Sequence, residues 1–301
     1  MVIYVIIISF YNIKRTFSII ERLGGIHMNV NEEQPSWQVK SVAKAIHILS
    51  CFTPAEPELS LVDISQKLKL PKSTVLNLLR TLEAYGYVSR TYPSMNYRLG
   101  YSIMQLNYCT QMSMPVVRFS LPFLEDLQMK TGKTIYLTTH INGKVLYLEV
   151  AHQNRRMFSY SISGKTLNMH CTGCGKAMLA YLPEEEIRNV VATHGLPAFT
   201  PNTITSEEKL YEELANIRRR GYSIDHEEET LGVRCIAAPI RNSQGYPTAA
   251  LSISGAVLSM QENQVLEYAD VLISTCHALA SNANEFPAGQ ILLLNQKQDN
   301  N

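Results

Sequence analysis

Between residues 61 and 99 two helix-length apolar stripes run straight into two strand-length segments, and few folds accept that order in so short a stretch. LVDISQKLK at 61–69 spaces Leu61, Ile64 and Leu68 along one face of a short helix. The turn Leu70-Pro71 leads into a longer helix over 72–85, KSTVLNLLRTLEAY, whose buried stripe is Val75, Leu78, Leu79, Leu82 and Tyr85. Gly86 follows at a natural C-cap position. Beyond it, YVSR at 87–90 and NYRL at 96–99 predict two short strands joined by the polar turn Tyr92-Pro93-Ser94-Met95. Upstream, residues 38–52 place Val39, Val42, Ala43, Ile46, Leu49 and Cys51 or Phe52 on a 3.6-residue stripe, a further amphipathic helix stopped by Pro54 and Pro57. Helix, helix, turn, helix and hairpin is the order of a winged helix-turn-helix.

The third helix opens with Lys72 and turns Ser73, Thr74, Asn77, Arg80 and Thr81 outward. Short hydrogen-bonding side chains and one guanidinium suit base edges and phosphates in a major groove. Arg90 and Arg98 on the hairpin suit the flanking phosphates. Any amphipathic helix has a polar outer face, so the face alone does not decide; the complete element order does. Charge adds little. The whole chain carries a net charge of +1, and residues 60–100 hold six basic side chains against two acidic ones, an excess that a solvated face also explains.

At 301 residues the chain has room for two domains. Residues 101–113 predict a helix that is apolar on more than one side, which fits a linker or dimer helix. Pro115 opens a helix that reaches Thr131 and is closed by Gly132. The apolar period then changes from 3.6 to 2. Strands at 134–141 and 144–151 flank Asn142-Gly143, the strongest two-residue hairpin signal. Helices follow at about 173–182, 184–194 and 206–220, with an acidic first turn after Pro183 and a capping box from Thr205 to Glu208. Strands recur at 222–225, 234–240 and 247–254, and a last helix covers about 261–283. An antiparallel sheet flanked by helices is an α+β domain. The expected organisation is a winged helix-turn-helix over 36–100, a linker helix over 101–114 and a sheet domain over 115–285.

The two ends fall outside that scheme. Residues 1–10 are almost wholly apolar, yet they lack a basic n-region and are too short to span a bilayer. Gly24-Gly25 lies just ahead of Met28, the spacing of a ribosome-binding sequence read through as codons. The expectation is translation from Met28, with 1–27 a non-native or disordered leader, and a disordered polar tail over 286–301. Six cysteines without a secretion pattern predict reduced thiols and a cytoplasmic protein with no membrane partner.

Several separated segments, in the same order, resemble the IclR family of bacterial transcriptional regulators. They are LPKSTVLNLLRTLEAYGYV at 70–88, YRLG at 97–100, CTGCGKAMLAYLPEEE at 171–186, RRRGYSIDHEEETLGVRCIAAPI at 218–240 and GYPTAALSISG at 245–255. The resemblance covers about residues 38–285. It implies a GAF-like effector-binding domain, a small organic effector, and dimers or tetramers on pseudo-palindromic double-stranded DNA. The lean is toward a repressor. Asn77 departs from the pattern, since many relatives carry a basic residue there, so the base read at that point differs.

Thr172-Gly173-Cys174-Gly175 precedes an apolar helix, and free N–H groups at such a terminus favour an anion. The resemblance places Gly173 and Cys174 in the effector pocket, with Asp225, Cys235, Ser252 and Ser254. Hydroxyls, thiols and one carboxylate around an apolar sheet would take a small acid bearing a hydroxyl or hydrate, because a lone Asp225 repels a bare carboxylate unless it is protonated. Most of the acidic run His226-Glu227-Glu228-Glu229 reads as a solvated loop. Three alternatives stand beside this. Cys171 and Cys174 form a single CxxC beside His170, a weak zinc or redox pattern. Cys174 or Cys235 with His170 would make an enzyme's nucleophile and base, although no third orienting residue has a telling spacing. GCGK lacks the other P-loop residues, and neither cofactor nor metal is expected. The winged helix could also serve a protein-interaction adaptor.

Overall fold

The computed structural model describes residues 38–152 and 163–283; the expected leader and tail lie outside them. The chain divides into two compact units at Gln111/Met112.

In the first unit, helices α1 (Lys40–Leu49), α2 (Leu61–Leu68) and α3 (Lys72–Ala84) precede a two-stranded antiparallel hairpin, β1 (Val88–Arg90) and β2 (Tyr97–Leu99). Their core is Ile48, Phe52, Leu59, Ile64, Val75, Leu79, Val88 and Tyr97. Ser60 caps α2 reciprocally with Asp63, and Lys69 at φ 52° makes the left-handed turn that aims the chain into α3. The α1 stripe needs correcting. Ala43 and Ile48 are its buried residues, whereas Val39, Val42 and Ile46 are exposed. Apolar side chains occupy two faces of α1, and packing against α3 takes the face bearing Ile48. Tyr85 is also exposed, because α3 ends at Ala84 and Tyr85 turns away from the stripe.

The hairpin is fastened to the end of α3 through glycine. A Cβ on Gly100 would sit 2.1 Å from the Gly86 carbonyl oxygen, so only hydrogen fits there. Helix α4 (Tyr101–Ser113) then buries none of its residues.

The second unit holds α5 (Pro115–Thr131), β3 (Thr134–Ile141), β4 (Lys144–Ala151), β5 (Thr166–Asn168), α6 (Gly173–Leu179), α7 (Glu184–His194), α8 (Glu207–Arg220), β6 (Ser223–His226), β7 (Val233–Arg241), β8 (Pro247–Ala256) and α9 (Glu262–Ala283). The six strands form one antiparallel sheet in the order β5-β4-β3-β8-β7-β6. Asn142 and Gly143 both take positive φ, as a two-residue hairpin turn requires. Ser206, not Thr205, caps α8: its hydroxyl accepts from the Lys209 amide, which puts Glu208 out of the capping position.

Strand alternation divides the sheet's side chains between two cores. Ile135, Leu137, Ile236, Leu251 and Ile253 face α5 and α9 with Leu124, Leu127 and Leu272. Ala237 and Ala250 face α6, α7 and α8 with Met178, Ile187, Leu210 and Leu214. The strand residues between those of the first core therefore meet the start of α6.

Candidate functional site

Two surfaces carry polar chemistry. On α3, Lys72, Ser73, Asn77, Arg80 and Thr81 are exposed and Thr74 is half-buried. The Thr81 hydroxyl donates to the Asn77 carbonyl at 3.1 Å, so part of its capacity is spent inside the helix. Arg90 on the hairpin lies 3.3 Å from the Glu83 carboxylate and 5.0 Å above the Tyr97 ring. Glu83 thereby ties the hairpin to α3 and offsets one charge that the sequence left open for phosphate. Arg98 is exposed and donates through Nε to the Ser89 hydroxyl at 3.2 Å.

The other surface is a cavity of about 130 Å³ in the second unit. A cavity of roughly 150 Å³ holds one benzene, so this one is scaled to a molecule of about one ring. Pairing of β6, β7 and β8 aligns Asp225 with Cys235 and Cys235 with Ser254; pairing of β3 and β8 aligns Tyr136 with Ser252. All of these side chains line the cavity, as do Gly173 and Cys174 at the start of α6. The six residues singled out from the sequence thus come together in one place. Tyr136, Tyr147, Lys165, Thr172, Glu229 and Thr230 line it too, and were missed. The alternation of β3 and β4 carried a signal for the two tyrosines; nothing local marked the others.

The chemistry of the wall follows from burial. Desolvation pushes the Asp225 carboxyl up to about 7, the neighbouring Glu228 adds to the rise, and the Glu228 amide donating to Asp225 Oδ1 at 2.7 Å opposes it. The raised carboxyl takes up a proton more readily than an exposed one, so Asp225 can serve a ligand as donor or as acceptor. Burial raises the Cys174 and Cys235 thiols, and the Cys235 thiol donates to the Ser254 hydroxyl at 2.9 Å. Tyr136 and Tyr147 meet edge to face with centroids 5.3 Å apart, and burial holds the Tyr136 hydroxyl up at about 12. The start of α6 is tightly built: Thr172 accepts from the Gly175 amide, and a Cβ on Gly175 would lie 2.3 Å from the Met169 carbonyl oxygen.

The acidic run is not a solvated loop throughout. Glu228 is buried, and its carboxylate pairs with the buried Lys176 ammonium, which also donates to the Ile224 carbonyl at 2.7 Å. Thr203 donates to the Glu228 carbonyl at 2.6 Å. These contacts fix the loop that brings Glu229 and Thr230 to the cavity. The CxxC is divided: Cys171 donates to the Asn168 carbonyl at 3.6 Å, while Cys174 faces the cavity. His170 Nε2 lies 3.0 Å from the Pro197 carbonyl and donates to it. Among the described residues no three His, Cys, Asp or Glu side chains group as metal ligands, and no helix is long and apolar enough to cross a membrane.

A helix-turn-helix with a hairpin wing, followed in the same chain by a helix-flanked antiparallel sheet, defines a two-domain DNA-binding regulator. Residues 41–91 match the model of the IclR helix-turn-helix domain, and residues 109–281 match that of the bacterial transcriptional regulator IclR C-terminal domain. The chain is 32% identical to the HTH-type transcriptional regulator XynR of Escherichia coli K12 over 250 residues, 83% of this chain and 99% of that protein. The crystal structure of an IclR transcriptional regulator from Alicyclobacillus acidocaldarius has a TM-score of 0.72 at 28% identity, covering 81% of this chain and 99% of that one. An IclR homolog from Microbacterium hydrocarbonoxydans, crystallised with 4-hydroxybenzoate, shares the fold with a TM-score of 0.69 at 24% identity, again covering 81% and 99%. The chain belongs to the IclR family of bacterial transcriptional regulators.

Proposed function

We propose that this protein is a sequence-specific DNA-binding regulator, with a lean toward repression, whose operator affinity is set by a small organic acid in the cavity of its second unit. The observation that carries the effector reading is the convergence of Asp225, Cys235, Ser252, Ser254, Gly173 and Cys174 on one cavity of single-ring size. Asp225 is the polar anchor. Burial raises its carboxyl, so it can hydrogen-bond a ligand hydroxyl or hydrate either as acceptor or, once protonated, as donor. The same-fold homolog crystallised with 4-hydroxybenzoate supports an acid of this scale.

The site is a receptor rather than a catalyst. His170 is not among the residues lining the cavity, and burial raises both cavity thiols, so neither a base beside them nor a thiolate is prepared. On DNA, α3 lies in the major groove with Lys72, Ser73, Thr74, Asn77, Arg80 and Thr81 toward bases and phosphates, while Arg90 and Arg98 meet the flanking backbone. The exposed Tyr101, Met104, Leu106, Tyr108 and Met112 of α4 support self-association as a dimer or tetramer. Two recognition helices then occupy successive grooves about 34 Å apart. An effector that prefers one conformation shifts the fraction that fits the operator.

Asp225→Ala tests the reading. DNA affinity, measured by anisotropy, should stay within about 2-fold of the native chain, because Asp225 lies in the second unit. The change in affinity on adding a hydroxy acid that shifts the native chain's melting should vanish. A preserved response removes Asp225 from the receptor.

A further inference from the structure

We propose that Lys165 determines the specificity of the cavity, its ammonium receiving the carboxylate of a small hydroxy acid whose hydroxyl end lies toward Asp225, Cys235 and Ser254. This rests on the reading of the cavity as a receptor and adds to it the orientation and class of the ligand. Among the described residues that line the cavity, Lys165 is the one cationic residue. Among the described residues, no carboxylate lies within ion-pair distance of its ammonium. A half-buried ammonium with no carboxylate partner among the described residues is free to give a charge-assisted hydrogen bond to an anion.

Sheet order gives the cavity two ends. Lys165 immediately precedes β5 at one edge, and its carbonyl accepts from the Tyr147 amide at 3.0 Å, which fixes it beside the tyrosine wall. Asp225 is on β6 at the other edge, next to Cys235 on β7. Tyr136 and Tyr147, on β3 and β4, lie between and supply an apolar surface. A ligand with an acid group at one end, a short carbon body and a hydroxyl at the other matches this sequence of cation, rings and hydrogen-bonding edge. Glu229 also lines the cavity, accepting from the Thr230 hydroxyl, and disfavours an acid group placed near it. Its negative charge, with that of ionised Asp225, turns an acid group away from that edge and toward Lys165.

Matched acid and amide pairs test the assignment on the full chain: glycolate with glycolamide, lactate with lactamide, and 4-hydroxybenzoate with 4-hydroxybenzamide. Thermal shift finds the binders and calorimetry measures their affinity. The native chain should bind at least one acid about 10-fold or more tightly than its amide, on the scale of a charge-assisted hydrogen bond. Lys165→Met should weaken that acid by about 10- to 100-fold, leave the amide unchanged and leave the ligand-free melting temperature unchanged. Lys165→Arg should keep the preference for the acid. Equal binding of acid and amide, or a preference that survives in Lys165→Met, overturns the Lys165 assignment while the receptor reading stands. Binding of none of the six compounds by the folded native chain counts against both.

Discussion

Replacing Lys176 with methionine should cost the second unit about 3–5 kcal/mol. Lys176 is 1% exposed and Glu228 is 3% exposed. Removing the ammonium leaves the Glu228 carboxylate buried without its cation and the Ile224 carbonyl without a donor. Glu228 Oε2 already has no hydrogen-bond partner, so little else can take up the charge. At about 2–4 °C per kcal/mol for a domain of this size, melting should fall by roughly 10 °C. The loop from Glu227 to Gly232 would lose its anchor with it. Removing both charges together, as Lys176→Met with Glu228→Leu, should recover most of the loss, since a buried ion pair is often no better than its apolar replacement. Denaturant unfolding of the two variants is the check. A loss below about 1 kcal/mol for the single change would show that the pair contributes little.

Arg80→Ala should have the largest effect on DNA. Arg80 is exposed on α3, so its truncation should leave folding untouched. A bidentate arginine–base contact is worth about 1–3 kcal/mol, and the proposed dimer would lose two of them, so operator affinity should fall by about 30-fold to 10⁴-fold. Affinity for unrelated DNA should fall much less if Arg80 reads a base, and as much if it holds a phosphate. Anisotropy titrations on operator and unrelated fragments separate these outcomes. Unchanged operator binding would take Arg80 off the recognition surface.

How much of this was legible depended on whether the information was local. The bounds of β3 and β4 follow from Asn142-Gly143 and the strand-forming runs on either side of it, and the structure matches them residue for residue, although a register shift between Leu137 and Thr138 interrupts the alternation. The winged element order was readable for the same reason. The face of α1 was not, because Val39, Val42 and Ile46 are as apolar as the buried Ile48, and only packing against α3 chooses between them. Thr205 and Ser206 are equally good caps on paper; the backbone path selects Ser206. In the cavity, Gly173, Cys174, Asp225, Cys235, Ser252 and Ser254 came from family resemblance. Alternation hinted at Tyr136 and Tyr147, but they join the others through a sheet order that sets β3 beside β8, over a hundred residues away, and Lys165 joins through the edge beside β4. Lys176 was visible only as part of an incomplete phosphate-loop pattern, because Glu228, its partner, lies 52 residues on, in a run that reads as solvated.

The central claim is that α3 reads a DNA sequence under control of the cavity. Its most direct measurement is anisotropy on the DNA flanking the protein's own gene and on a shuffled fragment of equal length, at one stated salt concentration. Each is titrated with and without a saturating hydroxy acid that raises the native chain's melting temperature. The account predicts a preference for the native fragment of about 10³-fold or more, and a change in that preference on adding the acid. Equal affinity for the two fragments, or a preference that the bound acid leaves untouched, would contradict it.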